Sequence, residues 1–267
     1  MQRLLLPFFF LLVQTACFYR DGDLTTMALD CQIDRPRVLA ISTFPQVFQH
    51  GTPVLYDALI VAPDGAAPDR ISVDVCGLLP DQLSNVYGTD CFKEEDYVTH
   101  LADEVPFWWE PPDQSAIECT EPSDTDWDVW GCTSIVPLLI RADFGDTPAF
   151  GSFSMAVYAI PGLAEMVELP TVSLTAEGSP VAGGDILLRS ESDVLPDSSG
   201  WRWYVDAGEL SGTGRTADNT TDPAFISENT LHIPEDWHGP LRVFVVVQAP
   251  SSNGVPQGWA NLTLEVP

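Results

Sequence analysis

Trp201-Arg202-Trp203-Tyr204-Val205-Asp206-Ala207-Gly208 is the stretch on which the reading of the fold turns. Trp201, Trp203 and Val205 fall at period two, so in an extended chain they share one face, as an inward-facing central strand requires. Asp206-Ala207-Gly208 then closes the run with turn-forming residues. Strand-length runs recur downstream at 241–248 and 259–266, and just upstream at 171–175 and 185–190. The first half carries its own set at 37–41, 54–61, 71–75, 134–142 and 153–160. Each run is rich in β-branched or aromatic residues and bounded by Gly, Pro or Asp.

The two sets line up as an internal repeat. Gly51 stands twelve residues before Pro63-Asp64, and Gly184 twelve before Pro196-Asp197. Val136-Pro137-Leu138-Leu139-Ile140-Arg141-Ala142 parallels Val243-Phe244-Val245-Val246-Val247-Gln248-Ala249. Each half ends with a glycine, a strand and a proline, Gly151 to Pro161 and Gly258 to Pro267. A unit of about a hundred residues made of short strands is the signature of a β-sandwich.

On these residues the chain resembles the immunoglobulin-like and PKD-like modules of bacterial surface lipoproteins. The resemblance implies an all-β protein of two tandem immunoglobulin-like β-sandwiches, residues 36–161 and 169–267. It implies architecture and says nothing of activity.

The first unit is longer because of an insertion, 77–133, which begins after Cys76 and ends just past Cys132. Asp90 is placed to cap a short helix over 92–103, with Phe92, Val98 and Leu101 on its apolar side. Cys91 and Cys119 lie inside the insertion. In an exported chain these four cysteines read as two disulfides stapling the excursion. The pairing is either Cys76–Cys132 with Cys91–Cys119, or Cys76–Cys91 with Cys119–Cys132, since spacing does not fix connectivity. Cys31 is the odd one.

Export is read from the N-terminus. Arg3 precedes the apolar run Leu4 to Val13, and Thr15-Ala16 leads into Cys17. Basic start, short apolar core and small residues make a secretory signal, too short to span a bilayer. The cysteine after the small residues resembles the lipobox of bacterial lipoproteins, with Gln14 where the family usually has leucine. The resemblance implies a signal peptide over 1–16, acylation of Cys17, and a lipidated tether over 17–35. Phe18 rather than aspartate after the cysteine implies sorting to the outer membrane by the same likeness. Two or three acyl chains hold a protein durably, at about 0.8 kcal/mol per buried methylene.

Charge narrows the partners. Thirty-nine acids face eleven bases, for a net charge of −28, and Lys93 is the only lysine. Phosphate binding needs a basic stripe that this chain lacks, so nucleic acid is not an expected partner. Asp124, Asp126 and Asp128 alternate like the start of a calcium loop. Val129 and Ile135 then stand where an EF-hand needs glycine and glutamate, so a solvated acidic turn is the default and calcium the one ion to consider. Phe107-Trp108-Trp109 reads first as a small core beneath the insertion, and second as an exposed platform for a glycan or peptide. No HExxH, nucleophile elbow, Walker loop or dinucleotide fingerprint occurs.

The expectation is therefore a non-enzymatic envelope lipoprotein without cofactor, held to the membrane by its lipid. It acts as an adhesion, scaffold or binding module toward an envelope protein or glycan. The rival expectations are a glycan- or peptide-binding module that uses residues 107–109, and an accessory subunit of an envelope assembly.

Overall fold

A computed structural model describes residues 31–44, 48–49, 53–76, 98–110, 133–158, 169–193, 201–211, 226–248 and 257–267. Its first half forms β1 (Arg37–Phe44), β2 (Phe48–Gln49), β3 (Val54–Val61), β4 (Arg70–Cys76), β5 (Val98–Ala102), β6 (Phe107–Trp109), β7 (Thr133–Phe144) and β8 (Thr147–Tyr158). The second half forms β9 (Val172–Glu177), β10 (Asp185–Ser192), β11 (Trp201–Val205), β12 (Glu209–Leu210), β13 (Ile226–His232), β14 (Gly239–Gln248) and β15 (Gln257–Val266).

These strands make four sheets, ordered β1-β3-β6, β2-β8-β7-β4-β5, β11-β14-β15 and β12-β13-β10-β9. The described chain is thus all-β, and a pair of immunoglobulin-like sandwiches fits the arrangement. The repeat is visible in the strand order: β1-β3-β6 answers to β9-β10-β13, and β4-β7-β8 answers to β11-β14-β15.

Each sandwich has its own core. In the first, Ile41, Val54 and Tyr56 of one sheet meet Val73, Val75, Leu138 and Ile140 of the other. In the second, Trp201, Trp203, Val243 and Val245 meet Ile186, Leu188 and Leu231. The Trp203 indole donates to Ser227 Oγ at 3.3 Å, which satisfies its N–H inside that core.

A third apolar layer joins the two sandwiches face to face. Leu39, Ala40, Leu59 and Val61 from β1 and β3 pack on Tyr204, Phe244, Val246 and Trp259 from β11, β14 and β15. The molecule is therefore a stack of four sheets with three buried layers. The two central sheets are covered on both faces, which is why Leu39-Ala40-Ile41 and Val243-Phe244-Val245-Val246-Val247 run without polar alternation.

Polar contacts hold the central layer in register. The Arg242 guanidinium forks onto Asp206, with Nε to Oδ2 at 2.7 Å and Nη2 to Oδ1 at 2.6 Å. The same Nη2 donates across the joint to the carbonyls of Ala62 and of Pro63, the latter at 3.0 Å. At the other end the Ile41 amide donates to Gln257 Oε1 at 3.1 Å.

The stretch expected to be tether ends inside the fold. Cys31 and Ile33 are buried, and Gln32 bridges Val205 in parallel, so this segment covers the free edge of β11. The Ile33 amide donates to Val205 O at 2.8 Å, and Gln32 Nε2 to Gly208 O at 2.8 Å. Gly208 lets the chain turn there: its φ is +97°, and a Cβ would stand 2.5 Å from the His232 carbonyl oxygen.

The helix expected over 92–103 is corrected over its described part. Val98–Ala102 is a strand that pairs antiparallel with β4, Cys76 opposite Val98 and Val75 opposite Thr99. Val98 and Thr99 are stiff β-branched residues, and pairing along a sheet edge outweighs one weak apolar side. The insertion is no appendage either, because it gives β5 to one sheet and β6 to the other. Cys91, Cys119, Cys132 and the side chain of Cys76 lie outside the described residues, as do Cys17, Asp124, Asp126 and Asp128.

Arg242→Ala should cost about 3 kcal/mol, because it strands the Asp206 carboxylate, 5% exposed, without its cation. Urea unfolding followed by circular dichroism measures this. A loss below about 0.5 kcal/mol would mean that the Asp206 carboxylate does not depend on Arg242.

Candidate functional site

Phe107-Trp108-Trp109 divides its three rings between two faces, as a strand must. Phe107 stacks on Tyr56 with centroids 5.1 Å apart, and Trp109 lies 6.0 Å from the same ring at a tilt of 54°. Both pack on the first core. Burial pushes the Tyr56 hydroxyl far above its ordinary pKa, in keeping with a ring sunk in apolar surroundings. Trp108 faces the opposite way and is 64% exposed. The triplet is thus neither wholly a core nor wholly a platform.

Strand pairing sets Trp108 in a row. It is opposite Leu55, and Leu55 is opposite Phe44, itself 41% exposed. Along the same face two residues further on, Ser42 is opposite Asp57. This face looks toward the second sandwich, and beyond Leu59 it is sealed by Phe244 and Val246. Short of that seal a cleft of about 190 Å³ remains, lined by Ser42, Phe44, Leu55, Asp57, Pro170 and Trp259 among others. Gln257 stands in its wall with Oε1 fixed by the Ile41 amide.

The cleft holds two uneasy polar groups. Asp57 Oδ1 accepts from the Ala58 amide at 2.8 Å. Loss of solvent raises its pKa, a rise the Ala58 bond only partly offsets, and no described cation contributes. The Ser42 hydroxyl is buried and has no hydrogen-bond partner among the described residues. Sequence reasoning missed both. The available signal was a lone acid in Val54-Leu55-Tyr56-Asp57-Ala58-Leu59-Ile60-Val61, directly across from a lone serine in β1.

A second polar group lies on the outer face of β4 and β5. His100 Nδ1 meets Asp74 Oδ1 at 2.9 Å, and Ser72 Oγ donates to Asp74 Oδ2 at 2.9 Å. Ser72 Oγ is 3.4 Å from the same Nδ1. A Ser-His-Asp triad needs the serine on one imidazole nitrogen and the carboxylate on the other. Here both use Nδ1, while Nε2 faces Asp103 at 3.5 Å. This is a surface ion-pair network, not a hydrolytic centre. No group of three or more potential metal-ligating side chains converges among the described residues.

No family model matches the chain, and no curated protein does. Among solved structures, the D00-D0 domain of intimin aligns over 84% of this chain and 99% of its own, at 10% identity and a TM-score of 0.25. A Parabacteroides merdae β-glucuronidase aligns over 88% of this chain and 24% of its own, at 13% identity and a TM-score of 0.24. Superpositions this loose carry no argument. The fold stands on the chain's own strand pairing.

The two faces of β6 predict unequal substitutions. Trp108→Ala should leave stability within about 0.5 kcal/mol of wild type. Trp109→Ala, which empties part of the first core, should cost about 3 kcal/mol. Equal losses in thermal unfolding would mean that the strand's register is shifted by one residue.

His100 gives a pH prediction. The hydrogen bond to Asp74 raises its pKa above the ordinary 6.5, reinforced by Asp103. Because the folded value is the higher one, the stabilisation is complete below pH 6.5 and is lost as pH rises through the elevated value. The pair is exposed, so its worth stays under about 1 kcal/mol. An NMR titration should place the His100 midpoint above 6.5, and Asp74→Asn should lower it; an unmoved midpoint would exclude the Asp74 contact.

Proposed function

We propose that the chain is a non-enzymatic, membrane-anchored envelope lipoprotein that serves as an adhesion, scaffold or binding module. The observation that supports this reading best is the central layer between the sandwiches. Tandem domains on a flexible joint reorient freely, whereas an apolar joint crossed by the Arg242 bonds to the Ala62 and Pro63 carbonyls fixes them as one body. A fixed body is what a scaffold or adhesion module needs in order to present its loops at a set distance and angle. Cys17 carries the lipid in this proposal, and the segment to Asp30 spans from the membrane to the buried residues beside β11. The lipid and the amino-terminal cover then act at the same end of the chain. The cysteines 76, 91, 119 and 132 staple the insertion as two disulfides.

A second reading, a module that binds a glycan or peptide, is favoured by one observation. Trp108, Leu55 and Phe44 form a row of apolar side chains on a face that the second sandwich leaves partly open. Exposed aromatic rows rimmed by polar groups mark contact surfaces more often than chance patches do.

The anchor is tested directly. Cys17→Ala should abolish metabolic labelling with palmitate and move the protein from membrane to soluble fractions. Unchanged partition of that variant would sink the lipoprotein reading. Peptide mapping without reduction should find two bridges among Cys76, Cys91, Cys119 and Cys132; four free thiols in protein from its native envelope would remove the staple.

A further inference from the structure

We propose that the cleft at Ser42, Asp57 and Gln257 is a binding site for the side chain of a lysine presented by a partner protein. Three residues that carry oxygen acceptors line the cleft: Asp57, Ser42 and Gln257. An ammonium is a compact charge with three donors, and three acceptors are what it requires. The rest of the wall, Phe44, Leu55, Pro170 and Trp259, is apolar and suits a four-carbon stem.

Two observations beyond the cavity itself point to a ligand. Ser42 is 5% exposed and its hydroxyl has no partner among the described residues, a state that costs stability unless something fills it. The Asp57 carboxylate lies half-buried with a single hydrogen bond, from its own strand, and no described cation beside it. A buried charge without a partner is destabilising, and a cation entering the cleft would supply the partner.

The geometry also selects among cations. A guanidinium fork is matched to the two oxygens of one carboxylate, whereas the acceptors here belong to three residues. A calcium ion takes six to eight oxygens, and the wall offers one charge and about three. The small volume, about 190 Å³, admits a slim stem better than a planar guanidinium. On a larger scale the net charge of −28 draws basic proteins toward the whole surface. The site deepens the binding-module reading, on which it rests only for the existence of a protein partner; the lipid anchor is independent of it.

The test uses the full chain and three capped tripeptides, acetyl-Gly-X-Gly-amide with lysine, arginine or norleucine at X, titrated at low salt by calorimetry. The lysine peptide should saturate, and the other two should bind about tenfold more weakly or worse. Asp57→Asn should lose lysine-peptide binding by about tenfold while melting no lower than wild type, since it removes an unpaired charge. Ser42→Ala, a smaller change, should weaken binding several-fold and serves if the first variant fails to fold. Equal binding of lysine and norleucine peptides overturns the proposal, as does no saturation at millimolar peptide. Displacement of the lysine peptide by calcium overturns it too, by assigning the oxygens to a metal. Loss of membrane partition in Cys17→Ala alongside retained lysine binding would separate the anchor from the site.

Discussion

The buried layer between the sandwiches is the constraint from which the rest of the structure follows. Because β1 and β3 pack on Tyr56's core on one side and on Phe244 and Val246 on the other, both faces of that sheet are mostly apolar, with Ser42, Thr43 and Asp57 as exceptions. The same holds for β11 and β14. β1 and β14 accordingly carry the apolar runs Leu39-Ala40-Ile41 and Val243-Phe244-Val245-Val246-Val247, whereas the outer strands β10 and β13 alternate. Arg242 and Asp206 sit at the rim of this layer, where the guanidinium keeps partial access to water and the carboxylate does not. Such a pair adds little net stability over an apolar substitute, but once one partner is buried the other becomes indispensable. Its cross-joint bonds to Ala62 and Pro63 carbonyls add geometry: they fix where the first sandwich sits on the second.

The joint is built head to tail. The sheet of β1, β3 and β6 in the first repeat packs on the sheet of β11, β14 and β15 in the second, which occupy different places in the repeat. A heterologous contact of this kind can continue indefinitely unless its ends are blocked. Among the described residues the outermost faces carry charged rows, with Phe150, 54% exposed, beside Arg141 on one of them. Ser72, Asp74, His100 and Arg141 occupy one, and Arg189, Glu191, Glu228 and His232 the other. Charged rows of this kind oppose further face-to-face stacking, as caps do in repeat proteins.

Much of this was legible in the sequence, and the illegible part has a physical reason. Trp201, Trp203 and Val205 announced a one-faced core by their period, and the strand runs of both halves appear where their β-branched residues placed them. The repeat emerged from glycine and proline spacing because turns need those residues at fixed points. What escaped was the joint. Val243-Phe244-Val245-Val246-Val247 lacks alternation, which signals two buried faces, yet one strand does not name what covers its second face. The insertion misled differently. Phe92, Val98 and Leu101 fit a helical side loosely, and only the open edge of β4, invisible in sequence, decided for a strand. Trp108 was unreadable for a related reason: which of three consecutive rings faces outward depends on register, and register is set by the partner strand Val54–Val61.

Asp57 is where local economy and the global pattern disagree. Every other residue on its face of β3 is apolar, Leu55, Leu59 and Val61, and a strand shaped only for stacking would continue that way. A hydrophobic residue there would close the cleft against Pro170 and Trp259 and would carry no desolvation cost. The opposite serine repeats the oddity, since its hydroxyl gains nothing from burial without a partner. Two neighbouring departures from the packing rule, facing each other across one strand pair, are harder to attribute to chance than either alone. Positions that break local rules without structural compensation are where function is expected to reside. They also fall at the boundary between two domains, where ligand sites concentrate because neither surface alone makes a concavity.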